Sequence, residues 1–333
     1  MEYRKLGKTD VEVTRIILGA WAIGGWMWGG QDEADAIAAI RRSLELGITT
    51  IDTAAVYGFG RSEEIIAKAL DGVKRGDVQL LTKYGLRWDR PEGELRFDTV
   101  DNEGRPIKVM RNSRPDSVIE ECERSLKRLR TDHIDLFQCH WPDPSTPMAE
   151  TFGAIARLIE QGKVLAAGVS NYSVEQMAEA HRVVPLAASQ PPYSMVNRGA
   201  EDDVIPYCVS SGISVIVYSP LQRGLLTGKI TEDYRFGPGD HRAANAFFRP
   251  ANVRRVNAML NKMRPFAESH GATLAQVVIA WTLRRRGITA ALVGARNVRQ
   301  AGENAEAAGV KLSEEEIQRI DALLDEVKLD LAE

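Results

Sequence analysis

Cysteine is scarce: Cys122, Cys139 and Cys208 stand far apart in a chain of 333 residues. An odd, scattered set excludes the dense framework of a disulfide-stapled secreted domain and fits a reducing, cytoplasmic setting. An excess of one charge is also missing, since 43 Lys and Arg against 46 Asp and Glu leave a formal net charge of −3. No stretch supplies the basic patch that a nucleic-acid partner requires. Long apolar runs are lacking too. The nearest, from Ile16 to Gly30, holds five glycines and follows a segment containing Glu2, Asp10 and Glu12. It is shorter than the ~18 residues of a membrane span and does not have the flanks of a targeting signal. With no repeat, low-complexity tract or Pro-rich linker, and with 44% apolar and 27% charged residues, one globular domain over 1–333 is expected.

What is present is an alternation of short β-branched runs with amphipathic stretches, the pattern of an α/β fold around a parallel sheet. Strands are expected at 13–18, 48–52, 78–83, 134–139, 164–169, 186–190, 213–218 and 288–293. Helices are expected between and after them at 32–46, 62–71, 115–129, 148–161, 174–182, 201–211, 273–286 and 298–307, with Asp32 and Ser173 placed as N-caps. Eight such units describe a closed (β/α)8 TIM barrel better than an open doubly wound sheet. Outside the count lie an N-terminal β-hairpin turning at Gly7-Lys8-Thr9-Asp10, an extra helix at 252–269 and a C-terminal helix from Ser313, whose spacing to Glu316 is that of a capping box. Two long connections, 84–113 and 219–251, follow strands and so belong to the face where barrels build active sites. The first is too irregular to assign contacts.

Three motif-like stretches fail on spacing. Gly58-Phe59-Gly60 has Glu63 where a dinucleotide fingerprint needs its third glycine, and Gly224 to Lys229 is one residue short of a phosphate loop. Cys139-His140 with Cys122 lacks any zinc-site spacing, and the plainer reading is two small apolar residues in a strand and a helix. No metal is expected.

The chemistry-bearing residues end successive strands. Asp52 closes the second, Lys83 the third, His140 follows the fourth, and Tyr57 stands five residues beyond Asp52 among small neighbours that let the chain bend its ring over the mouth. Singly, each has an ordinary reading as a turn former, a solvated cation or a packing residue. Jointly they converge where a barrel places polar groups.

These residues carry a resemblance to the aldo-keto reductase superfamily. It rests on Asp52-Thr53-Ala54 with Tyr57-Gly58, Leu81-Thr82-Lys83, Asp132 to Leu136 running into His140-Trp141-Pro142, Gly168-Val169-Ser170-Asn171, Gln190, and Tyr218-Ser219-Pro220-Leu221 with Gly224 to Lys229. It spans nearly the whole chain. The stretch Gly24 to Gly30, with His140 to Pro144 and Gln190 to Tyr193, is most similar to bacterial NADP-dependent glycerol dehydrogenases and stress-response reductases. By residue type, Tyr57 suits a general acid whose phenol the Lys83 ammonium pulls down toward neutral pH. Asp52 would hold Lys83 charged, and His140 would orient a carbonyl oxygen.

The resemblance implies a nicotinamide held without a Rossmann unit. Ser170, Asn171 and Gln190 would bond its carboxamide, and Tyr218 would stack on its ring. Gly19, Ala20 and Trp21 would flank it. Ser219, Pro220, Leu221, Gln222, Gly224 and Leu225, with Lys229, would strap the pyrophosphate, and the loop ending near Arg242 would clamp it. Gly294, Ala295 and Arg296, followed by Gln300, Glu303 and Asn304, open the last barrel helix, where a helix N-terminus and an arginine fork suit a 2′-phosphate. NADP is therefore expected over NAD. An aromatic pocket of Trp21, Trp28, Trp88 and Trp141 suits a small carbonyl or polyol, glyceraldehyde and glycerol first. The rival readings are an NADP-sensing regulatory subunit of the same fold and a barrel lyase or isomerase. Charge balance says nothing about assembly, and a monomer is compatible with it.

Overall fold

The computed structural model describes residues 1–331, so the last two residues of the expected single domain lie outside the described part. The chain opens with the antiparallel hairpin β1 (Tyr3–Lys5) and β2 (Glu12–Thr14). Then follow β3 (Ile16–Gly19), α1 (Glu33–Glu45), β4 (Thr50–Asp52), α2 (Arg61–Ala69) and β5 (Gln79–Tyr84). A small sheet of β6 (Leu86–Arg87), β7 (Glu94–Val100) and β8 (Pro106–Arg111) precedes α3 (Pro115–Leu129), β9 (Leu136–Cys139), α4 (Met148–Glu160), β10 (Ala167–Ser170), α5 (Val174–Val183) and β11 (Leu186–Gln190). The rest is α6 (Val204–Ser211), β12 (Ser214–Tyr218), α7 (Pro250–Ser269), α8 (Leu274–Arg284), β13 (Ile288–Gly294), α9 (Val298–Glu306) and α10 (Glu314–Asp325).

Strands β3, β4, β5, β9, β10, β11, β12 and β13 close into one parallel barrel, with β13 paired to β3. The expected fold is therefore present. The expected strand at 13–18 divides at Arg15, its first part pairing in the hairpin and its second in the barrel. The helix starts read from the sequence are capped by side chains: Asp32 accepts from the Asp35 N–H, and Ser173 and Ser313 form capping boxes with Gln176 and Glu316.

Alternation along each strand sorts the core into two populations. Ile16, Leu18, Ile51, Leu80 and Phe137 face the helices. Ile17, Leu81, Leu136, Ile216, Ala290 and Leu292 fill the interior, where Leu6, Val11 and Val13 of the hairpin region join them and plug one end. One step further along the same inward column the side chains turn polar: Asp52, Lys83, Gln138 and Gln190, all buried.

The connection 84–113, expected to be irregular, is largely ordered sheet. Phe97 and Thr99 alternate with charged residues, a half-buried strand pattern masked by the charge around it and by a register shift that leaves Leu95 exposed, and β7 pairs with β8 across a turn at Asp101. Phe97 packs against a cluster of Trp26, Ala54, Val56, Leu86 and Val109. The other long connection, 219–251, crosses to the segment after β3: Trp28 bridges Asp240, and the His241 N–H donates to the Met27 carbonyl at 3.1 Å.

Candidate active site

Four inward polar residues form one network at the barrel mouth. The Lys83 ammonium lies 2.5 Å from Asp52 Oδ1 and donates to the Thr53 carbonyl at 2.9 Å. Asp52 Oδ2 accepts from Gln138 Nε2 at 3.0 Å and from Gln190 Nε2 at 2.9 Å. Register makes this possible, since Lys83 pairs with Gln138 across β5 and β9. Gln138 was not among the expected site residues. Its position two residues after the inward Leu136 is the signal that would have found it.

Tyr57 is brought over this network by a tight turn in which its N–H donates to the Ala54 carbonyl at 3.0 Å. Two glycines permit the turn. A Cβ on Gly58, whose φ is +63°, would sit 2.4 Å from the Gly24 carbonyl oxygen, and one on Gly24 would sit 2.7 Å from the Tyr57 backbone. The phenol oxygen is 3.5 Å from Lys83 Nζ, and the ring lies edge-on to His140 with centroids 5.6 Å apart. Asp52, Tyr57 and His140 all line a cavity of about 640 Å³, while Lys83 sits just beneath it.

Burial, then the charge of Asp52, hold the Tyr57 phenol well above its ordinary pKa. This corrects the expectation that Lys83 lowers it. Lys83 is closer to Asp52 than to Tyr57, so the carboxylate largely answers its charge. Burial likewise pulls the Lys83 ammonium down against the opposing Asp52, and burial with the Lys83 charge pushes His140 well below the imidazole range. The site therefore holds a protonated phenol beside a neutral imidazole.

Most residues expected around a cofactor line the same cavity: Gly19, Ala20, Trp21, Ser170, Asn171, Gln190, Tyr218, Ser219, Pro220, Leu221, Gly224, Lys229, Arg242, Gly294, Arg296, Gln300, Glu303 and Asn304. Three do not. Gln222 turns away and accepts from Ser194 Oγ at 2.8 Å, and Leu225 and Ala295 are buried in the core. Trp28 and Trp141 line the wall, but Trp88 stands behind it, edge-on to Phe59. Asn171 is already engaged within the protein, accepting from the Tyr218 hydroxyl and donating to the His140 carbonyl and Ser170 Oγ. Gln190 is different: both amide hydrogens are used on Asp52 and Gln138, which leaves its oxygen as a free acceptor.

The region before α9 also differs in detail from the expected anion site. The Arg296 N–H donates to Gln300 Oε1 and the Gln300 N–H to Asn297, so side chains already cap part of this terminus. The Arg296 guanidinium bonds only neutral acceptors, Gln31 Oε1 and the Gly30 and Trp28 carbonyls. Arg242 is paired with Asp240 at 2.6 Å and stacks over Trp28. Arg223, which sequence reasoning missed, lines the cavity with its guanidinium 5.5 Å from the Trp21 ring. Among the described residues no carboxylate pairs with Arg223 or Arg296. A cavity of this size, with a free amide acceptor at its floor and cations unmatched by acids, fits an anionic dinucleotide.

Comparison with known proteins gives the family. The model of the Aldo/keto reductase family matches residues 15–325. The chain is 40% identical to the aldo-keto reductase YhdN of Bacillus subtilis (strain 168), over 98% of this chain and 94% of that one. It is 37% identical to an NADH-specific methylglyoxal reductase of Escherichia coli (strain K12), over 93% and 94%. Among solved structures, the glycerol dehydrogenase AKR11B4 from Gluconobacter oxydans superposes with a TM-score of 0.87 at 38% identity, covering 99% of this chain and 97% of its own. With a buried Asp52–Lys83 pair beneath a half-buried Tyr57 and His140 at one barrel mouth, and a family match over nearly its whole length, the chain belongs to the aldo/keto reductase family.

Proposed function

We propose that the protein is an NADP(H)-dependent reductase that interconverts small aldehydes or ketones with alcohols, of the size of glyceraldehyde and glycerol. The family acts on carbonyls with nicotinamide cofactors. The observation that carries the reading is the Tyr57 phenol on the floor of the cavity, 3.5 Å from the buried Lys83 ammonium and edge-on to His140. A bound nicotinamide supplies or accepts the hydride at carbon. Everything at oxygen falls to the protein. Tyr57 delivers the proton to the carbonyl oxygen, and the phenolate it leaves is stabilised by Lys83, whose place Asp52 and the Thr53 carbonyl hold. His140 donates a hydrogen bond to the same oxygen, which strengthens as negative charge develops there.

Gln190 Oε1 suits the amide hydrogens of a carboxamide, Tyr218 and Trp21 frame the ring site, and Arg223 suits a pyrophosphate. Arg296, cationic and bonded only to neutral groups, supports a 2′-phosphate and hence NADP. The relatives' names divide between glycerol and methylglyoxal as substrate, and one is NADH-specific.

The test is NADPH oxidation with DL-glyceraldehyde by the protein and by Tyr57→Phe, with NADPH and NADH binding followed by fluorescence. The expected result is tighter binding of NADPH than NADH by both proteins, and at least ~100-fold loss of turnover in the variant. Binding without reduction of any carbonyl would favour a sensor role; failure to bind either cofactor would overturn the reading.

A further inference from the structure

Arg96 lies in β7, within the small sheet that the sequence left unassigned. Leu95 pairs with Met110 and Phe97 with Val109, so Arg96 is the extra residue of a β-bulge. Bulges re-aim side chains, and this one points a guanidinium into the cavity beside Phe97, Leu86 and Trp141. The guanidinium stacks 4.3 Å over the Trp141 ring, the residue that follows His140. Its Nε is buried without an acceptor, and among the described residues nothing accepts from any of its N–H groups. Other arginines nearby have acidic partners: Arg111 with Glu94, Arg87 with Asp89 and Glu120, Arg105 with Asp101.

The remaining unmatched cations of the cavity, Arg223 and Arg296, stand with residues proposed for the dinucleotide. Arg96 stands with the substrate wall. Arg96 is half-buried, and a guanidinium whose buried Nε has no acceptor is costly unless a ligand completes it, while stacking on an indole keeps its edge free for bidentate bonding to an oxyanion. We infer that Arg96 binds an anionic group of the carbonyl substrate, a carboxylate or a phosphate, and that the preferred substrates are oxo acids or phosphorylated aldehydes rather than neutral carbonyls.

This rests on the reductase reading and is tested separately from it. Two matched pairs are compared at saturating NADPH: succinic semialdehyde with butanal, and glyceraldehyde 3-phosphate with glyceraldehyde. In at least one pair the charged member should have a kcat/KM higher by roughly tenfold or more, the worth of a charge-assisted hydrogen bond. An advantage in the first pair alone identifies a carboxylate, in the second alone a phosphate. Arg96→Met should lower the charged-to-neutral ratio by a similar factor, and Arg96→Lys should restore part of it. Calorimetric titration with 4-hydroxybutanoate and with 1-butanol, with and without NADPH, gives a readout independent of turnover: the carboxylate should bind more tightly, and only when Arg96 is intact. Equal kcat/KM within both pairs, or a ratio unmoved by Arg96→Met, would overturn the inference. If no carbonyl were reduced, the reductase reading would fail and the titration would decide Arg96 alone, absence of Arg96-dependent binding overturning it.

Discussion

The phenol of Tyr57 is held protonated by burial and by the charge of Asp52, which fixes a sign for the pH dependence. Reduction consumes the phenol proton, so Tyr57 should cause no loss of kcat up to about pH 9. Alcohol oxidation needs the phenolate and should rise with pH over the same range. Steady-state profiles in both directions check this, and a reductive limb falling near pH 7 would contradict it. Glu121 offers a second titration, away from the chemistry. It accepts from the Gly85 N–H at 3.0 Å through one oxygen, its other oxygen has no partner, and burial, opposed by Arg87, pushes its pKa from near 4.5 to about 8. The folded chain therefore keeps a proton that the unfolded chain releases. The associated stability is present below about pH 4.5 and lost as pH rises to about 8, on the order of a few kcal/mol in all. Urea unfolding at pH 5.5 and 8.5 should show this decline in the native protein and a flatter profile in Glu121→Gln; parallel declines would assign it elsewhere.

Among the elements, the β4–α2 connection shows how a turn places a reacting group. Gly58 combines a left-handed backbone with contact against Gly24. Gly58→Ala should cost about 1–2 kcal/mol from backbone conformation alone, with more from the clash. It should lower kcat by displacing Tyr57, read as a reduced melting temperature together with slowed glyceraldehyde reduction; an unchanged kcat would free Tyr57 from this turn. Gly58, Tyr57 and their place just beyond a strand end were legible because they are neighbours in sequence; the contact of Gly24, which comes from the segment after β3, was not. Neither was the β7–β8 hairpin. Its alternation is weak, and the apolar face of Phe97 and Val109 is explained only by Trp26 and Val56, which arrive from distant parts of the chain. Trp88 was misplaced for the same reason: an aromatic residue in a wall loop can line the cavity or stand behind it, and Phe59 decides which.

At the scale of the whole molecule the barrel has two ends with separate tasks. One is closed by the hairpin region through Leu6, Val11 and Val13, and the other carries the polar network and the cavity. Leu6 is fully buried, so Leu6→Ala should destabilise by about 2–5 kcal/mol, seen as a lower urea midpoint at unchanged slope. KM for the carbonyl should stay within about twofold, because the chemistry lies at the opposite end of the barrel. A large change in KM would mean that the two ends are coupled.

The sequence by itself determined the succession of eight strand–helix units, the helix starts at Asp32, Ser173 and Ser313, and the strand-end positions of Asp52, Lys83 and His140. Each depends on periodicity or capping within a few residues. Only the tertiary structure decided that Gln138 joins the Asp52–Lys83 pair, that the Tyr57 phenol stays protonated, and that Arg96 enters the cavity without a partner. Charge state and pairing depend on burial and on through-space distance, and both are set by strands that meet across the barrel from tens of residues apart.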